Sequence, residues 1–211
     1  MSRLLLIIAL SALAACQTGS QPLPVASPSP SPSPHATATA AILQSGDVPS
    51  GLTVCLGSGP IDVYLASVAQ ADATIGARAG DQWQQMRALG ARDAAISIFT
   101  SNPSACNAEL GATTTARAMV SFVARFDDSG QAHRAWEAGV FGFAPPPANV
   151  LVAGVTRGTA TGLGLSSFTY ERPSVRLASW QRSVFVAVVV ASNFDSGTFK
   201  AAAITVDARL N

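Results

Sequence analysis

The run Val184-Phe185-Val186-Ala187-Val188-Val189-Val190-Ala191-Ser192 constrains the fold more than any other stretch of this chain. It is too short to cross a bilayer, which takes about 20 apolar residues. Its β-branched residues favour an extended backbone. A strand alternates its side chains between two faces, and here both faces are apolar. Such a strand belongs at the centre of a sheet, covered on both faces or nearly so.

The segments before it supply its neighbours. Leu163 to Arg172, a turn at Pro173-Ser174, Val175 to Trp180 and a turn near Arg182 lead into the valine run as a β-meander. Met119 to Phe126 places Val120, Phe122, Ala124 and Phe126 on one face of a strand, and Ala94 to Thr100 reads as another. Ile61, Tyr64, Leu65 and Val68 recur at helical spacing behind Pro60, and a second helix is expected from Asp81 to Leu89 with Trp83 and Met86 on one side. Asn102-Pro103 opens a short helix carrying Cys106. Asp128 or Ser129 caps a helix through Trp136 to about Val140. Asp195 or Ser196 caps a last helix with Phe199, Ala202, Ala203, Val206 and Leu210 on one face. Pro145, Pro146 and Pro147 break the pattern between these parts. The expected fold is α+β: one antiparallel sheet of about 4–5 strands with helices packed mainly on one face. No repeat of fixed period is visible.

The other end of the chain cannot build a core. Ser27-Pro28-Ser29-Pro30-Ser31-Pro32-Ser33-Pro34 is a strict repeat in a stretch with little charge and few large apolar groups. Proline at every second position removes backbone donors and favours polyproline II. Residues 16–46 are therefore expected to be a disordered tether reaching on the order of 90 Å at about 3.1 Å per residue. His35 is expected to be solvated there. The Ser/Thr/Pro composition, running on through Thr37 and Thr39, also fits an O-glycosylated stalk. Residues 47–211 are left as one globular domain, roughly 165 residues.

Residues 1–15 have the three parts of a signal peptide in order. Arg3 is the positive start, Leu4 to Leu13 is apolar but for Ser11, and Ala14-Ala15 is small enough for a peptidase groove. Leu13-Ala14-Ala15-Cys16 resembles the lipobox of bacterial lipoproteins. The resemblance implies cleavage before Cys16, diacylation of its sulfur (palmitate being a usual chain) and acylation of the new amino terminus. One acyl chain holds only marginally, at about 0.8 kcal/mol per buried methylene, whereas two or three make attachment lasting. The implied location is the bacterial cell envelope, lipid-anchored and facing the periplasm or the exterior. Gln17 stands where an aspartate commonly marks inner-membrane retention, which leaves outer-membrane sorting open in a diderm host.

In an exported protein the remaining pair, Cys55 and Cys106, reads as a disulfide. It would close a loop of about 50 residues, for roughly 4 kcal/mol in the chain-entropy model. The other reading is two buried free thiols. No Cys-x-x-Cys and no nearby histidine points to a metal, and no cofactor motif is present. Without Arg3 the 13 basic residues of the chain become equal in number to its 12 acidic ones. That balance speaks against a nucleic-acid partner.

The catalytic inventory is small. There is no Gly-x-Ser-x-Gly, Ser-x-x-Lys, His-Glu-x-x-His or EF-hand loop. His133 is the only histidine of the domain and is expected on an exposed helix face. Gly158-Thr159-Ala160-Thr161-Gly162-Leu163-Gly164 lacks the lysine of a phosphate loop and leads into a strand rather than a helix. Asp81-Gln82-Trp83-Gln84-Gln85 and Trp180-Gln181-Arg182 mix tryptophan with amide or guanidinium groups, a combination that stacks on and hydrogen-bonds sugars or polar head groups. Trp83, Trp180 and Arg182 are therefore the candidate ligand-binding residues. The expected function is a non-catalytic binding or sensing domain presented by a membrane anchor, its ligand a wall fragment, a lipid or an envelope protein. The alternatives are a structural or assembly partner in an envelope complex, marked by an exposed apolar patch, and an envelope hydrolase with His133 beside a serine or carboxylate in a cleft.

Overall fold

A computed structural model describes residues 37–107 and 115–211. The expected signal peptide, Cys16 and the Ser-Pro repeat lie outside the described residues. The elements run in the order α1 (Ala38–Ala41), β1 (Thr53–Val54), β2 (Gly59–Pro60), α2 (Ile61–Ala71), α3 (Ala73–Ala88), β3 (Ala91–Thr100) and β4 (Ala118–Phe126). Then follow α4 (Ser129–Ala138), β5 (Val155–Arg157), β6 (Ser167–Glu171), β7 (Val175–Arg182), β8 (Phe185–Ser192) and α5 (Ser196–Ala208). Among the described residues no helix is long and apolar enough to cross a membrane.

The fold is α+β, built on one antiparallel sheet. Its order is β1-β3-β4-β8-β7-β6-β5, with β2 also paired to β3, eight strands among the described residues. The valine run is β8, buried along its whole length between β4 and β7. Each fully buried Val or Phe of such a strand contributes about 1.5–3 kcal/mol. The sheet exceeds the expected size because β1, β2 and β5 are only two or three residues long. Pieces that short carry no readable alternation.

Three of the five described helices cover one face, and α5 with the short α1 covers the other. On the first face Ile96, Ile98, Phe122, Phe126, Val186 and Val188 pack with α2 (Ile61, Tyr64, Val68), α3 (Ala79, Trp83, Met86) and α4 (Ala132, Ala135, Trp136). On the second, Phe99, Met119, Val123, Phe185, Val189 and Trp180 pack with Phe199, Ala202, Ala203 and Val206 of α5 and with Ala38, Ala41, Ile42 and Leu43. A sheet whose central strands are apolar on both sides needs two covering layers.

Packing also begins ahead of the boundary expected at 46/47. Thr37 caps α1 by accepting from the Ala40 amide at 3.2 Å. The Leu43 amide donates to Ser121 Oγ at 2.8 Å, and Ser121 meets Ser97 Oγ at 2.7 Å inside the sheet. Arg209 closes the arrangement, donating to the Ile42 carbonyl at 2.9 Å and to Asp47 at 2.8 Å. The small alanines here resemble tether composition, yet they fit close against the sheet.

Helix α3 starts eight residues before the expected Asp81. Asp72 caps it, accepting from the amides of Thr74 (2.8 Å) and Ile75 (3.1 Å). Gly76 and Gly80 weaken the helical signal. Gly76 is required by packing: a Cβ there would stand 2.4 Å from the Cα of Ala69 in α2. Asp128 and Asp195 cap α4 and α5, each accepting at 2.8 Å from the amide three residues on. Cys55 and Cys106 form a disulfide between the loop after β1 and a one-turn 3-10 helix, Pro103–Asn107.

Candidate functional site

The three ligand-binding residues expected from sequence are not brought together. Trp83 is 5% exposed in the first-face core. Trp180 is fully buried on the opposite side of the sheet. Its Nε1 donates to Asp207 Oδ1 at 2.9 Å. Arg182 reaches the same carboxylate, from Nε to Oδ1 at 2.8 Å and from Nη2 to Oδ2 at 2.6 Å. That bond holds the Arg182 guanidinium above its ordinary pKa, against its partial burial. Trp180 and Arg182 therefore fasten α5 to the sheet, and their bonds to Asp207 occupy the indole N–H and two of the three guanidinium nitrogens.

The amides around Trp83 have a different fate. Arg78, Gln82 and Gln85 of α3 and Leu89 at its C-cap stand at helical spacing along one side, about 100–160° around the helix from Trp83. With Asp81 and Met86 they form one wall of a cavity of about 370 Å³. The other wall is the turn after α4, made of Ala138, Gly139, Phe141 and Gly142. Gly139 has φ +93°, and a Cβ there would lie 2.7 Å from the Ala144 nitrogen, so the turn can close only on glycine. Phe141 has φ +47° yet is 8% exposed, its ring edge-on to Phe122 with centroids 4.8 Å apart. That packing offsets a backbone cost of about 1–3 kcal/mol.

Gln82 gives the cavity its chemical character. Its Oε1 is shielded from solvent and has no hydrogen-bond partner among the described residues. Trp136 Nε1 and Ser179 Oγ share that condition but line none of the three cavities described here. Leaving such an acceptor unmatched costs about 1–3 kcal/mol. Because the atom is shielded from a water-sized probe, a ligand N–H or O–H reaches it only where the Gln82 side chain turns into the cavity it lines. The cavity thus combines an unmatched amide acceptor, a second amide, one basic and one acidic side chain, and an apolar floor of Met86, Leu89 and Phe141.

Two other concave regions were candidates. The larger, about 420 Å³, lies beside the disulfide and is walled by Val54, Leu56, Ser67, Gln70 and Pro103. None of its lining residues holds an unmatched buried polar side-chain atom. The third, about 260 Å³, is mostly apolar and adjoins the α3 cavity at Gly142.

His133 sits on α4 as expected, but with partners its spacing could not disclose. Its Nδ1 is 3.3 Å from Ser166 Oγ and its Nε2 is 3.4 Å from Glu137 Oε1. The ring stacks beside Trp136, with centroids 5.8 Å apart. The histidine and glutamate side chains are 44% and 60% exposed, and the group lines none of the three cavities. It resembles a proton relay in composition. The Gly158–Gly164 stretch is folded on itself, with Ser167 Oγ donating toward the Gly158 and Gly164 carbonyls at 3.1 and 2.6 Å, and Thr161 Oγ1 2.7 Å from Ser167 Oγ.

The far wall of the cavity carried no sequence signal. Phe141 and Gly142 enter through a turn whose shape depends on Gly139 and on core packing. Ser166 meets His133 only through the pairing of β6 with β7 under α4. Comparison with protein-family models, with curated proteins and with solved structures gave no match.

Proposed function

We propose that this chain is an exported, lipid-anchored lipoprotein whose domain binds a polar small molecule in the α3–α4 cavity. Its role is capture or sensing, without covalent chemistry. The observation that carries this reading is the mixed polar and apolar lining of the cavity, with Gln82, whose shielded Oε1 is unmatched, among its wall residues. Native interiors leave few polar atoms unpaired, and such an atom in a concave site favours a ligand that donates to it. With one basic and one acidic side chain beside two amides, the cavity suits a neutral or zwitterionic ligand rich in hydroxyl or amide groups. Fragments of an envelope polysaccharide have that chemistry.

The anchor half of the proposal rests on Arg3, the apolar run Leu4 to Leu13 and Leu13-Ala14-Ala15-Cys16. Acylation at Cys16 would tie the domain to the membrane, with the Ser-Pro repeat as spacer. Labelled palmitate incorporated by the wild type and lost in Cys16→Ala is the expected result. A Cys16→Ala chain still held in the membrane rejects the anchor.

For the site, the test is calorimetric titration of the full chain carrying Cys16→Ser with amino-sugar disaccharides and short wall peptides. Saturable binding that Gln82→Leu weakens at least about tenfold is expected, the effect of losing one buried hydrogen bond. Binding indifferent to Gln82→Leu, or no binding across the panel, overturns the site.

A further inference from the structure

We infer that the ligand is an amphiphile, its polar head in the α3–α4 cavity and its hydrocarbon chain in the apolar cavity beyond Gly142. This rests on the binding role proposed above and names the ligand class. The two cavities share Gly142 in their linings. At that glycine, with φ +80°, a Cβ would meet nothing within 4 Å, so the space over its backbone is open. Over that exposed glycine the chain would run from one cavity to the other.

The two sides differ in chemistry. On one are Arg78, Asp81, Gln82 and Gln85. On the other are Phe143, Pro146, Val152, Val155, Phe168 and Leu177. The polar atom that Tyr170 brings to the apolar side is already engaged, since its hydroxyl accepts from Arg172 Nε at 2.8 Å. Water or a sugar placed there would find few partners, whereas a hydrocarbon needs none.

The architecture of the first face explains why this space exists. Helices α2, α3 and α4 pack over β3, β4, β7 and β8. Over β5 and β6 the cover is instead the segment 143–154, which contains the three prolines and no helix or strand. Arg157 braces it, donating to the Pro147 carbonyl at 2.6 Å and the Val150 carbonyl at 3.1 Å. Leu151 at its tip is fully exposed, flanked by half-exposed Val150 and Val152. Val152 thus belongs both to the cavity lining and to an apolar outer strip, which continues the hydrocarbon surface outward.

The probes are alkyl β-glucosides with butyl, hexyl and octyl chains, below their micelle concentrations, with free glucose as the chainless control. The full chain carrying Cys16→Ser is titrated with each. The expected result is affinity rising about two- to fourfold per added methylene, the factor that burial of a methylene gives. Gln82→Leu should weaken all chain lengths by a common factor, and Val155→Trp should flatten the dependence on chain length. Because Val155→Trp can disturb folding, a chain-end nitroxide amphiphile on the unsubstituted cavity is the second measurement. It should broaden the resonances of Phe143, Val155 and Phe168. Glucosides that bind with no chain-length dependence, or a nitroxide that leaves those resonances sharp, overturn the amphiphile and leave polar binding intact. Chain-length dependence with affinity untouched by Gln82→Leu also overturns it, since the head is then elsewhere. Failure of every glucoside and of the disaccharide panel removes the binding role itself.

Discussion

Arg182 and Asp207 form a two-point ion pair across the second face, Nε to Oδ1 at 2.8 Å and Nη2 to Oδ2 at 2.6 Å. The same Oδ1 accepts from the fully buried Trp180 indole. One carboxylate near the end of α5 therefore satisfies two side chains of β7. Asp207→Ala leaves a buried indole N–H and a partly buried guanidinium without that partner. The expected loss is about 2–4 kcal/mol. It should appear as a lower urea midpoint with an unchanged slope. Asp207→Asn, which can still accept from Trp180, should lose less.

Gly76 lets α3 pack against Ala69 of α2. The 2.4 Å approach of a built Cβ to the Ala69 Cα involves backbone, which cannot swing aside. In an open helix Gly→Ala stabilises by up to about 1 kcal/mol through propensity. Here overpacking should reverse the sign, and Gly76→Ala should destabilise by about 1–3 kcal/mol. Gly80 meets nothing within 4 Å in the same helix. Gly80→Ala is the matched control and should be neutral or stabilising by thermal melting.

How far the fold was legible follows from where each element draws its signal. Helix α5 and strand β4 bury long, regular sets of side chains that their periodicity located, and β8 was marked by its unbroken run of β-branched and apolar residues. Asp128 and Asp195 marked helix starts because capping is a local bond. The first turns of α3 and the Ala38–Leu43 segment were hidden, since small residues are chosen there for close approach to partners distant in sequence. Of the candidate site, the glutamines beside Trp83 were visible, but the direction of each side chain was not. One residue along a helix is about 100°, enough to send Trp83 into the core and Gln82 into the cavity. The opposite wall, Phe141 and Gly142, depends on a turn that tertiary packing holds.

Reduction should loosen the edge of the sheet. Cys55 and Cys106 are 51 residues apart in sequence, and their bond links the loop after β1 to the end of the β3 connection. The chain-entropy model assigns such a cross-link roughly 4 kcal/mol. The paired substitution Cys55→Ser with Cys106→Ser should lower unfolding free energy by about that amount. Wild type in excess dithiothreitol should match it. Hydrogen exchange should rise first in β1 and in the loop from Cys55 to Gly59, because β1 holds only two ladder positions against β3.

Acid should release the junction between the two ends of the domain. Burial works against the charge on Asp47, but the hydrogen bonds from Arg209 and the Gln44 amide, with the Arg209 charge, outweigh it. Its carboxyl therefore lies below the usual carboxylate value. A carboxyl with a depressed folded pKa contributes stability that is fully present above its unfolded pKa, about 3.9. That contribution is lost as pH falls through the folded value, because the unfolded chain takes up its proton first. Stability should thus be level near neutrality and decline below about pH 4. Asp47→Asn should be less stable than wild type at pH 7 and should converge with it in acid. Urea midpoints of the two chains across that range measure the difference. A constant gap down to about pH 2 would show that Asp47 acts by shape and not by charge. The exchange rates of the Ala41 to Leu43 amides report the same event locally, since Arg209 bridges the Ile42 carbonyl and Asp47.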